Sequence, residues 1–136
     1  MLQRNNGGKM EVFDEVRKKW VPLTEEEKVR QWLLHFMVEQ KHIPMSHISV
    51  ERQITVNGFT RRYDIVVFDK QGLPQLVIEC KAPSVQLSQK VLEQVGQYNQ
   101  MLRAPFIGVS NGVQHFFFQI DFTTGVMTFL DDFPQI

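Results

Sequence analysis

Leu76–Ser84 reads LVIECKAPS, and the fold turns on how this stretch is read. Leu76, Val77 and Ile78 form an apolar run of the kind found in a strand covered on both faces. Glu79 and Lys81 stand at its end, with Cys80, the chain's single cysteine, between them. Side chains alternate along a strand, so Glu79 and Lys81 share one face and Cys80 takes the other, where it acts as a small hydrophobe. A carboxylate and an ammonium are costly to take out of water. Their place where a buried strand leaves the core calls for a reason.

Working upstream, Arg62–Phe68 (RYDIVVF) reads as the preceding strand and Ile48–Val56 (ISVERQITV) as the one before it. Asn57-Gly58 is a hairpin signal and Asp69–Gly72 a second turn, so the three strands are expected to form an antiparallel meander. Centring the second turn on Lys70 and Gln71 pairs positions whose numbers sum to about 141–143, which sets Asp64 opposite Val77–Glu79. Before the strands, Thr24 and Glu27 form a capping box for a helix whose apolar stripe is Val29, Trp32, Leu33, Phe36 and Met37. Pro44 ends that segment. After Pro83 and Ser84 a second helix runs to about Leu102, with Leu87, Val91, Val95, Tyr98 and Leu102 on one face. Pro105–Ser110, Gln114–Ile120 and an edge segment Val126–Leu130 read as further strands, the first two joined through Asn111-Gly112. Residues 1–10, with Gly7-Gly8, read as a flexible tail, and Glu11–Trp20 as a short amphipathic turn or helix. Residues 11–136 then form one domain. This order predicts an α/β fold in which helices flank a mixed sheet.

Composition narrows the function. At 136 residues, 43% apolar with 11 Phe, the chain has enough material for a globular core. Fifteen basic against fifteen acidic residues give no global positive bias, so any surface for a polyanion must be local. Arg17-Lys18-Lys19 and Arg61-Arg62 are the candidates. One cysteine excludes an internal disulfide, and no apolar run is long enough for a bilayer, so a cytoplasmic protein without a membrane role is expected. His42 and His47 straddle Pro44 and lack a cysteine partner, which disfavours zinc. Phe116-Phe117-Phe118 fits a buried strand better than a base-stacking platform.

Two carboxylates brought together at a sheet end repel unless a cation sits between them. Mg2+ suits such a place, since it takes hard oxygen ligands and is held by one or two carboxylates with waters and phosphate oxygens. Asp64 and Glu79 would be the ligands, the backbone carbonyl of Cys80 a third, and Lys81 would serve the attacking water. That is metal-assisted phosphodiester hydrolysis. The competing reading is an ordinary ion pair at a strand end, because E-x-K is a common pattern. Its position after a hairpin, at the end of an apolar strand and before a helix, favours the catalytic one.

The motifs TEEEKVRQWLL (Thr24–Leu34), RRYDIVVF (Arg61–Phe68), VIECKAP (Val77–Pro83), QVGQY (Gln94–Tyr98) and SNG (Ser110–Gly112) follow one another over most of the chain. In this order they resemble the PD-(D/E)xK nucleases, and among these the N-terminal nuclease domain of type I restriction enzyme R subunits. The resemblance implies a restriction-endonuclease-like core of order αβββαβ and Mg2+-dependent cleavage of DNA, with Mn2+ as a substitute. It assigns the metal to Asp64 and Glu79, the water to Lys81, and site-lining roles to Gln94 and Tyr98. The first-helix carboxylate is Glu26, which lies nearer the buried stripe than Glu27. Lys18, Lys19, Arg61 and Arg62 are the expected DNA contacts. Tyr63 stands where the family has proline. No G-x-x-x-x-G-K-[ST] loop is present, so motor or specificity subunits would be separate partners. Cutting both strands makes a homodimer an expectation as well. The alternative is a catalytically inactive DNA-binding or assembly module on the same scaffold.

Overall fold

The computed structural model describes the backbone of residues 1–136 and every side chain except that of Val56. Its centre is a mixed six-stranded sheet formed by β4 (Ile48–Val56), β5 (Phe59–Phe68), β6 (Pro74–Cys80), β7 (Phe106–Ser110), β8 (His115–Ile120) and β9 (Met127–Leu130), in that order across the sheet. β4, β5 and β6 are the expected antiparallel meander. α2 (Gln89–Leu102) then carries the chain over one face to β7, which pairs with β6 in parallel. β8 and β9 follow as antiparallel neighbours. α1 (Glu25–His35) covers the opposite face, so α1, β4–β6, α2 and β7 run in the αβββαβ order.

Sheet alternation divides the core into two layers. Leu76, Ile78 and Cys80 of β6 pack with Val29, Leu33, Leu34 and Met37 around α1, while Val77 packs with Val95, Ala104, Ile107 and Val109 around α2. β6 is therefore covered on both sides, which explains its unbroken apolar run. Phe117 and Phe118 are buried on opposite faces. Gly108 of β7 has no room for a side chain: a Cβ there would lie 2.7 Å from the Phe117 ring and 3.3 Å from Ile78.

Three local expectations need correction. The N-terminal residues are not a loose tail followed by a helical turn. β1 (Gln3–Asn6), β2 (Lys9–Asp14) and β3 (Lys19–Pro22) form a second, three-stranded antiparallel sheet. Gly7 and Gly8, at φ 60° and 89°, make the hairpin turn, and the Asn5 side chain accepts the Gly8 N–H at 2.8 Å. β1 is exposed throughout, so it lacks the apolar alternation that marks a strand. The second helix also begins later than expected. Ala82–Val85 closes a turn, and Ser88 is the residue before the helix. In the first helix the apolar stripe is incomplete, because Trp32 is 47% exposed and stacks on Phe36 and His115.

Candidate active site

The β5–β6 ladder runs Val67↔Leu76, Val66↔Val77, Ile65↔Ile78, and the next step at the open end sets Asp64 beside Glu79. β5 is irregular just there. Its pairing with β4 omits Glu51 and Asp64, and Glu51 adopts a left-handed φ of 52°. Alternation breaks with it: Ile65 packs on the α1 side, but Tyr63 packs on the α2 side and its hydroxyl donates to the Tyr98 carbonyl at 2.7 Å. An interrupted ladder of this kind re-aims side chains. Asp64 is left with one oxygen accepting the Cys80 N–H at 2.8 Å and the other accepting from the Arg30 guanidinium of α1 at 3.0 Å.

Glu79 and Lys81 leave the strand on one side, with Lys81 Nζ 3.3 Å from a Glu79 carboxylate oxygen. The backbone holds Lys81 as well, since its N–H donates to the Ser110 carbonyl at 2.8 Å. Burial and the neighbouring Asp64 charge push the Glu79 carboxyl up to about 7, against the opposing pull of Lys81. Glu26 projects from the first turn of α1 into the same field. Its carboxyl is also raised, by partial burial and then by Asp64, while Arg30 and Lys81 pull the other way. Cys80 is fully buried, and burial followed by the Asp64 charge raises its thiol well above the ordinary range. A thiol so placed is a poor nucleophile.

The sequence reading missed the ion network behind this cluster. Arg30, 4% exposed, binds Asp64, Glu26 at 3.2 Å and Glu27 at 2.7 Å, with Glu51 at 3.5 Å. Glu27 Oε1 also takes Arg17 at 2.7 Å, and Arg17 returns to Asp14 at 2.8 Å. Gln31 donates to Asp14 and Glu27. Only half of the expected capping box forms: Thr24 Oγ1 accepts the Glu27 N–H, but the Glu27 side chain is committed to the two arginines. Arg17, read as part of a basic patch, turns inward to acids. The i,i+4 pair Glu26–Arg30 was the available signal, though such a pair ordinarily decorates an exposed helix face.

Asp64, Glu79, Cys80, Lys81 and Glu26 thus gather at one end of the sheet. Gln94 and Tyr98 form a separate pair on α2, with the Gln94 amide donating to the Tyr98 hydroxyl at 2.9 Å and the Arg61 guanidinium over the Tyr98 ring at 5.1 Å. Their recorded hydrogen bonds reach neither Glu79 nor Lys81. Lys18, Lys19, Arg61 and Arg62 are all exposed. Among the described residues no group of three or more His, Cys, Asp or Glu side chains is arranged to hold a metal unaided. Asp64 and Glu79 are hard oxygen donors of the kind that could hold a divalent cation together with waters.

No helix is long and apolar enough to cross a membrane. No curated protein matches the chain in sequence at a significant level. One solved structure with the same fold is the fragment of a protein described as an HsdR subunit of a type I restriction enzyme from Vibrio vulnificus YJ016. It superposes with a TM-score of 0.57 at 23% identity, covering 82% of this chain and 24% of that one. The chain therefore spans about a quarter of the length of that relative. The family model for the N terminus of the type I restriction enzyme R protein matches residues 25–134. The chain belongs to the type I restriction enzyme R protein N-terminal family.

Proposed function

We propose that the chain is a PD-(D/E)xK nuclease domain that hydrolyses DNA phosphodiester bonds with Mg2+, centred on Asp64, Glu79 and Lys81. The observation that carries this reading is the crowding of acids at the end of β5 and β6. Glu26, Glu27, Glu51, Asp64 and Glu79 meet there and, with Asp14 from the end of β2, are joined among the described residues to three cations, Arg17, Arg30 and Lys81. A plain ion pair would leave Glu79 comfortably ionised, whereas burial and Asp64 push it up to about 7. A divalent cation relieves that repulsion, and the oxygen donors suit it.

Mg2+ held by Asp64 and Glu79, with the Cys80 carbonyl as a further donor, would polarise the phosphate and lower the pKa of a bound water. The chain's own groups do the rest. Asp64 is fixed by the Cys80 N–H and Arg30, so the ligand needs no reorganisation. Lys81 sits on the same side as Glu79, where its ammonium holds the attacking water and offsets charge developing on the phosphate. Arg61, braced on Tyr98, with Arg62, Lys18 and Lys19 as exposed cations, contacts the DNA backbone. In a type I restriction system the domain would work with motor and specificity subunits in the cytoplasm, and a homodimer would supply two strand cuts.

The test is cleavage of circular, linear and single-stranded DNA by pure protein with Mg2+ or Mn2+, beside an EDTA control and Lys81→Ala. Cutting should require the metal and fall at least about a hundredfold in the variant. Equal cutting by wild type and Lys81→Ala would reject the assignment. DNA binding without cutting would favour an assembly role.

A further inference from the structure

The small N-terminal sheet lies outside the segment matched by the family model, residues 25–134, yet it is wired into the candidate site. Asp14 ends β2, and its carboxylate accepts the Arg17 backbone N–H and side chain, fixing the turn into β3. Arg17 then reaches across to Glu27 of α1 at 2.7 Å. The same Glu27 oxygen holds Arg30 at 2.7 Å, and Arg30 holds the Asp64 carboxylate at 3.0 Å. Charges alternate along this line, so each group is held by its neighbours on both sides.

Arg30 is the pivot. Its guanidinium is buried, and its Nε finds no hydrogen-bond acceptor among the described residues. Leaving a buried donor unsatisfied is costly. The side chain is thus held by the carboxylates at its fork, not by satisfaction of all its donors. Arg17 contributes by anchoring Glu27 from the far side, and its own side chain is only 12% exposed.

We propose that Arg30 and Arg17 are positioning residues for the metal-binding carboxylate Asp64, and that the N-terminal sheet belongs to the functional unit by supplying Arg17. The proposal rests on the reading of Asp64 and Glu79 as a metal site. It makes a directional claim. Electrostatics alone says that deleting a nearby positive charge tightens cation binding. Positioning says the opposite: a carboxylate freed from its partner binds the metal less well, by about tenfold or more.

The test is a calorimetric Mn2+ titration of the full chain, with circular dichroism and melting to verify folding. Wild type is compared with Arg17→Met, Arg30→Lys, Asp64→Asn and the control Arg4→Ala, which alters an exposed β1–β2 ion pair outside the line. Arg17→Met, the less buried site, should fold and bind Mn2+ about tenfold more weakly. Arg30→Lys keeps the charge but loses the planar fork, and should also weaken binding. Arg4→Ala should match wild type. Unchanged or tighter Mn2+ binding by folded Arg17→Met and Arg30→Lys would overturn the positioning role. An equal loss in Arg4→Ala would overturn the specific line through Arg17. Absence of Mn2+ binding by wild type would instead overturn the metal-site reading, and this proposal with it.

Discussion

Glu79 carries the clearest signature of the site in a property that needs no substrate. Its folded carboxyl titrates near 7, above the ordinary value of 4.5, so the folded state holds its proton more tightly than the unfolded chain does. The metal-free protein should lose stability as pH rises from about 4.5 to about 7 and then level off. Glu26 is shifted in the same direction. His115 opposes it, because burial lowers its imidazole and protonation then favours the unfolded chain. Asp14 acts with the opposite sign at lower pH, since Arg17 and Gln31 outweigh its burial and hold its carboxyl below 3.8. The comparison that isolates Glu79 is a melting series from pH 5 to 8 on wild type and Glu79→Gln. The variant should gain stability relative to wild type as pH rises. A constant difference would remove the buried repulsion on which the site depends. At this scale the placement of Asp64 beside Glu79, and of Glu79 and Lys81 on one side, was legible from strand alternation and ladder arithmetic. Arg30 was not, because a charged residue on a helix reads as surface until its distant partners are known, and two of its partners, Glu51 and Asp64, lie on β4 and β5.

At the level of elements, the strands β4 to β8 and the antiparallel β4–β6 meander were readable from apolar runs and turn residues, whereas the parallel pairing of β6 with β7 was not assigned. The N-terminal sheet was not readable, since β1 is polar and exposed and Gly7-Gly8 suits a hairpin as well as a linker. The late start of α2 follows from tertiary contacts: the Asn111 amide donates to the Val85 carbonyl and holds the loop after Lys81 in a non-helical path. Sequence periodicity carries no sign of such a clamp. β7 offers a sharp test of the packing. Gly108→Ala places a methyl against Phe117 and Ile78, and should destabilise the fold by about 1–3 kcal/mol in urea unfolding. An unchanged midpoint would contradict the contact between β7 and β8 at that position.

For the whole molecule, a formal net charge of zero conceals local segregation. Acids outnumber the cations joined to them at the end of β5 and β6, while Lys18, Lys19, Arg61 and Arg62 are exposed. Under the proposed nuclease reading, DNA approaching the acidic end would meet repulsion until a divalent ion offset it. DNA affinity measured by fluorescence anisotropy at fixed ionic strength should therefore rise when Ca2+ replaces EDTA, and fall with added salt. Equal affinity with and without the divalent ion would separate DNA binding from this site. The family was readable from motif order, and the chain corresponds to 24% of the structurally similar protein.

The measurement closest to the central claim is a crystal structure with Mn2+, phased or checked by its anomalous signal. One strong peak is expected between Asp64 and Glu79, about 2.1–2.2 Å from a carboxylate oxygen of each, with Lys81 drawn off Glu79 toward a bound water. With Mn2+ bound elsewhere or not at all, and the 3.3 Å Lys81–Glu79 contact intact, the strand end would be an ion pair and nothing more.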